Sequence, residues 1–193
     1  MGEQDLTSQP PPPRREGYTT RPPAHEPEVG RRQLSSEAED YLDMVLPRLK
    51  EEQYVIAWGE HDFDCVAKLS RFEWFKFGFV DYTIVFEEFD RLDPRSLWAF
   101  SRTAFDYAAR RGGMSMPGLQ GAKICLPVAM IRADEGAVFA VQEIAAPKHL
   151  AKVEFPCVFD MRASQLHYFL ETRLWGAAYY AGLRELAARL LGP

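Results

Sequence analysis

Phe75-Lys76-Phe77-Gly78-Phe79 is followed, after Val80, by Asp81-Tyr82-Thr83-Ile84-Val85-Phe86, and in both runs large apolar residues alternate with polar or smaller ones. A period of two sends successive side chains to opposite faces of an extended chain, so these runs read as β-strands. Working upstream, Tyr54-Val55-Ile56-Ala57-Trp58 reads as a strand and Gly59 to Asp64 as a polar turn. Cys65 to Leu69 then begins another strand. Three to four antiparallel strands in a meander account for this region.

Helices flank the meander. Ser36-x-x-Glu39 has the form of a capping box. Behind it Tyr41, Leu42, Val45, Leu46 and Leu49 recur at helical spacing, with Pro47 inside the pattern as a kink or break. Asp93 followed by Pro94 marks the start of a second helix, whose buried face runs Leu97, Ser101, Ala104, Phe105, Ala108 and which Gly112-Gly113 should stop. Ile124 to Ile131 is a strongly apolar strand. After the turn Ala133-Asp134-Glu135-Gly136, Ala137 to Ile144 reads as its returning strand. Val153 to Phe159 and Leu166 to Leu170 suggest a further hairpin. A last helix over about 173–191 points Trp175, Tyr179, Leu183, Leu186 and Leu190 inward, beside a strip of small residues from Gly176 to Gly182. The expected class is α+β, with element order α-β-β-β-α-β-β-(β-β)-α, a mainly antiparallel sheet and helices packed on one side.

Residues 35–193 make this single domain. Residues 1–34 contain seven of the 14 prolines, few large apolar residues, and charges that cancel, so a disordered tail is expected. Pro10 to Pro13 followed by Arg14-Arg15 has the form of a polyproline II docking peptide or of a stiff linker. The formal net charge of −5 therefore lies on the folded part and argues against a nucleic-acid partner. Cys65, Cys125 and Cys157 are widely spaced in apolar settings and form no Cys-x-x-Cys pair, which reads as reduced thiols in a cytoplasmic protein. No apolar run is long enough for a membrane span, and the amino terminus has no apolar core of a signal peptide. Neither a cofactor nor a metal is implied by any complete motif.

Pro147-Lys148-His149 running into Phe155-Pro156-Cys157-Val158-Phe159-Asp160, together with Leu174-Trp175-Gly176-Ala177-Ala178-Tyr179-Tyr180, resembles a group of uncharacterised bacterial proteins over the last 50 residues or so. That resemblance implies no function. The element order is similar to that of type III secretion chaperones, which are small, acidic, cytosolic, usually dimeric, and bind extended segments of other proteins. The proline tail and the hairpin near 153–170 depart from that pattern.

Thirteen of the 25 aromatic residues fall between 54 and 100, more than one face of a small sheet can bury. Trp74, Phe75, Phe77 and Phe79 are candidates for an outward-facing binding surface, with Trp175 and Tyr180 on the last helix. The leading expectation is a non-enzymatic protein-binding module, adaptor-like or chaperone-like, whose partner is another protein or a second copy of itself. The alternative is a metal-dependent hydrolase or nuclease. Its acids would come from Glu60-His61-Asp62-x-Asp64 or from the run Asp81, Glu87, Glu88, Asp90. The restriction-endonuclease core also runs α-β-β-β-α-β. It needs an acid and then Glu-x-Lys on the next strand to hold Mg²⁺, with Asp81 as the candidate first acid. No Glu-x-Lys follows it. The two readings separate on one observation: a binding module should show an apolar patch, whereas a hydrolase should show converging carboxylates.

Overall fold

The computed structural model describes residues 32–73, 78–110, 122–132, 135–143, 152–171 and 177–193. They form an α+β fold with four helices and a mixed sheet of seven strands. In chain order the elements are α1 (Ser36–Glu51), β1 (Val55–Trp58), β2 (Cys65–Glu73), β3 (Gly78–Phe89), α2 (Pro94–Arg110), β4 (Ala122–Ile131), α3 (Glu135–Glu143), β5 (Lys152–Glu154), β6 (Cys157–Asp160), β7 (Gln165–Tyr168) and α4 (Ala177–Leu191). The spatial order is β1-β2-β3-β4-β6-β7, with β5 pairing β4 ahead of β6.

The meander expectation holds for β1, β2 and β3, which pair antiparallel. Beyond it the sheet changes sense. β4 runs parallel to β3, and both β5 and β6 run parallel to β4, before β7 returns antiparallel to β6. The parallel pairs exist because α2 and α3 carry the chain back across the sheet between them, a connection that hairpins cannot supply.

Residues 137–144 were expected to be a strand, and this is corrected: Ala137 to Glu143 belong to α3. Ala137, Ala140 and Val141 are its buried residues, at the three- and four-residue spacing of a helix face. The stretch 153–159 divides into β5 and β6, with Phe155 and Pro156 between them outside regular pairing. The cap of α1 is Ser35 rather than Ser36. Ser35 is extended, and its hydroxyl accepts from the Ala38 N–H at 3.3 Å. At α2, Asp93 caps as expected, accepting from the N–H groups of Arg95 at 2.8 Å and Ser96 at 3.0 Å.

Helices cover both faces, not one. On one side α1 and α4 pack on Ala67, Val80, Tyr82, Ile84, Phe86, Leu126, Val128 and Met130. On the other, α2 and α3 pack on Val66, Val85, Cys125, Ala129, Ile131 and Val158. Alternate residues of the same strands feed both cores, which is how one sheet buries so many large side chains. The tail residues 1–31, the stop Gly112-Gly113, and the aromatic residues Trp74, Phe75, Phe77 and Trp175 lie outside the described residues.

Candidate functional site

The two acidic runs of the sequence meet at one end of the β2–β3 pair. Cys65 and Phe86 are the last pair of the β2–β3 register, and Asp64 and Glu87 are the next residue beyond it on each side. The charge of Asp64 acts on Glu87 there. The face is that of α2 and α3, because Val66 and Val85, two residues inward on each strand, belong to that core. The β4 neighbour of Glu87 is the fully buried Ala129. The carboxyl pair therefore sits where an apolar layer opens to solvent, with Asp64 buried and Glu87 half-buried.

The turn between β1 and β2 builds the rim. Gly59, His61 and Asp62 all adopt positive φ, at 61°, 59° and 67°, and the segment Glu60–Asp62 forms a short 3₁₀ turn. Such a conformation is ordinary for glycine and tolerated by aspartate and histidine. Phe63 anchors the turn by packing edge-on to Phe100 and Tyr107 of α2, and His61 stacks on Tyr107 with centroids 5.4 Å apart. Glu60 is drawn off along the sheet to Lys68, at 2.5 Å. Asp62 remains exposed beside the carboxyl pair.

The electrostatics follow from this crowding. Burial raises the Asp64 carboxyl above the usual carboxylate range, against the pull of the Glu88 N–H, which donates to it at 2.7 Å, and of Arg32. Burial pushes Glu87 up to about 7, with the charges of Asp64 and Asp62 adding to it and Arg32 opposing. A carboxyl at that value exchanges a proton near neutral pH. Mg²⁺ is commonly held by one or two carboxylates completed by substrate phosphates, and this pair fits that donor count. Among the described residues no three histidine, cysteine or acidic side chains gather to hold a metal by themselves.

The remaining sequence candidates are placed as follows. Glu88 faces the opposite side of β3 from Glu87 and is buried. It accepts from the Ser35 N–H at 2.9 Å and ties the start of α1 to the sheet. Asp81 accepts from the Ser70 hydroxyl at 2.7 Å, six residues from Glu87 and so about 20 Å along the strand. It does not join the pair. Phe79 is 41 % exposed and packs edge-on to Phe72, which is 38 % exposed. Tyr180 is buried against Phe155 and Phe169. On α4, Ala181 and Gly182 face outward with open space at Gly182. Most described aromatics of the 54–100 region lie in one of the two cores, and among the described residues Phe72 and Phe79 are the exposed aromatics there, with Val55 exposed on β1.

Arg32 is the group the sequence reading passed over. It falls within the stretch assigned to the tail, yet it donates to the Glu88 carbonyl at 3.3 Å, and neighbouring Leu34 is buried in the α1 core. Its signal was the arginine shortly ahead of the first cap. Searches against protein-family models, curated proteins and solved structures returned no match to this chain.

Proposed function

We propose that the chain is a hydrolase of phosphate esters that works through Asp64 and Glu87 with a divalent cation. The observation that carries the proposal is the nearness of two carboxyls at one end of the β2–β3 pair, Asp64 buried and Glu87 half-buried, with Asp62 exposed beside them. The order α1-β1-β2-β3-α2-β4 supports the substrate class, because it is the order of the restriction-endonuclease core. Asp64, just ahead of β2, and Glu87 on β3 would serve as the acid and the glutamate of that chemistry. Phe89 stands where its lysine would be, and the positive charge near Glu87 is instead that of Arg32.

In this reading Asp64, held by the Glu88 N–H, would help hold the cation, and Glu87 takes the proton of the attacking water and returns it to the leaving oxygen. The cation, when bound, stabilises charge on the phosphoryl oxygens. Three free, buried thiols at Cys65, Cys125 and Cys157 support a cytoplasmic setting.

The test is hydrolysis of bis(p-nitrophenyl) phosphate by the full chain with Mg²⁺ or Mn²⁺. The expected result is activity abolished by EDTA, reduced at least about 100-fold in Glu87→Gln and Asp64→Asn, and within twofold of normal in Asp81→Asn. A rate indifferent to metal, or equal in wild type and Glu87→Gln, overturns the proposal.

A second reading, protein binding or self-association, is favoured by the exposed pair Phe72 and Phe79 near the tip of the β2–β3 hairpin. Sedimentation of the full chain beside Phe79→Asp, and a pull-down from host lysate with both, test it. A partner or dimer kept by wild type and lost by the variant supports it, and identical behaviour of the two rejects it.

A further inference from the structure

A concavity of about 300 Å³ opens on the same side of the sheet at its far edge. One wall is a single face of α3: Glu135, Val138, Phe139 and Gln142 fall at positions i, i+3, i+4 and i+7. The other wall comes from the β6–β7 hairpin, through Asp160, Gln165 and His167. Register explains why these three share a face. Asp160 pairs with Gln165 and Val158 pairs with His167, while Val158 belongs to the core beneath α3.

The cleft is a wedge closed at one end. There the Leu170 N–H donates to the Gln142 carbonyl at 3.4 Å, and the Gln142 side-chain nitrogen lies 3.2 Å from Nδ1 of His167. With the amide donating, Nδ1 accepts and the imidazole is held in one orientation. At the mouth stand two carboxylates, Glu135 and Asp160, and Asp160 is held by accepting from the N–H groups of Arg162 at 2.9 Å and Ala163 at 3.1 Å. Among the described residues, no lysine or arginine lines the cleft. Phe139 is 65 % exposed, an unusual placement for a phenyl ring on a helix whose other apolar residues are buried or half-buried.

Each of these features selects the same ligand chemistry. Two carboxylates ask for a positive charge, the exposed ring asks for a flat group to stack on it, and carboxylate geometry favours a planar fork of N–H donors. We infer that this cleft binds a guanidinium group, stacked on Phe139 and hydrogen-bonded between Glu135 and Asp160. The volume, at the lower end of ligand pockets, suits a small molecule or one arginine side chain of a peptide.

Titration of the full chain with agmatine, with acetyl-Gly-Arg-Gly-amide and with butylamine, followed by calorimetry and by the His167 ring signals in NMR, tests the inference. Saturable binding of agmatine at least about tenfold tighter than of butylamine is expected, with loss of tenfold or more in Glu135→Gln and threefold or more in Phe139→Ala. Binding by agmatine alone assigns a free metabolite, and binding by both agmatine and the peptide assigns the group in either setting. Glu135 is exposed on a helix surface, so its variant keeps the fold, which circular dichroism checks. Absence of saturable agmatine binding, equal affinity for butylamine, or binding unchanged in Glu135→Gln overturns the inference.

Discussion

At the scale of single residues, the proton on Glu87 is the sharpest consequence of the fold. Its folded value, about 7, lies above the ordinary glutamate value of 4.5 because the protein desolvates it beside Asp64. The folded state therefore binds this proton more tightly than the unfolded chain does. The sign follows: the stability present while Glu87 is protonated is lost as pH rises from about 5 to about 8. Because the side chain is half-exposed, solvent screening reduces the loss to about 1 kcal/mol. Urea denaturation of wild type and Glu87→Gln at pH 5 and pH 8 reads it as the difference between the two proteins. The variant should be the more stable of the two at pH 8 and indistinguishable at pH 5. A constant difference across the range would show that Glu87 carries no raised proton affinity. Both acidic runs were visible in the sequence, but not their meeting. Asp64 and Glu87 are joined by a register that the hairpin sets over the residues between them, and a slip of one position substitutes Glu88, which faces the other core.

At the scale of elements, the legible parts were those with a strict period or a cap. The alternation from Tyr82 to Phe86 fixed a strand with one face in each core, and Asp93-Pro94 marked the start of α2. Ala137 to Ile144 misled because its apolar run of five, Ala137 to Val141, with two valines and a phenylalanine, fits a buried strand as well as a helix. What decides for α3 is tertiary: Ala137 and Ala140 are small enough to sit flat on the sheet. Pro47 shows the reverse case, a local signal overridden. It stands within α1, exposed, in an unbroken helix whose neighbours Val45, Leu46 and Leu49 are all buried. Packing holds the helix together across a residue that has no N–H to give the Asp43 carbonyl. Pro47→Ala restores the donor without touching the core, so it should stabilise the protein by about 1–2 kcal/mol and raise Tm by roughly 3–6 °C. A calorimetric Tm that is unchanged or lower would mean that the bend at Pro47 is itself needed for packing.

At the scale of the whole molecule, a sheet covered on both sides gives most of the described aromatics between 54 and 100 a core to enter. Tyr82, Ile84 and Phe86 enter the core beneath α1 and α4, while Val85, on the same strand, enters the core beneath α2 and α3. The carboxyl end is held to the first helix by Tyr41, whose hydroxyl donates to the Leu191 carbonyl at 2.9 Å, and by the Arg48–Gly192 and Arg189–Glu52 contacts. Neither core can lose its strands without emptying the other, so the two should unfold together. Leu97 is fully buried in the α2 core and Leu190 is nearly so in the α4 core, on opposite sides of the sheet. Truncation of either to alanine should cost about 2–4 kcal/mol through the cavity left behind. The informative quantity is the shape of the transition rather than its midpoint. Urea unfolding followed by tryptophan fluorescence and by far-ultraviolet circular dichroism should give one coincident transition in wild type and in both variants. If Leu97→Ala alone splits the curves, the α2–α3 layer melts separately, and the sheet does not couple the carboxyl pair's face to the rest of the protein.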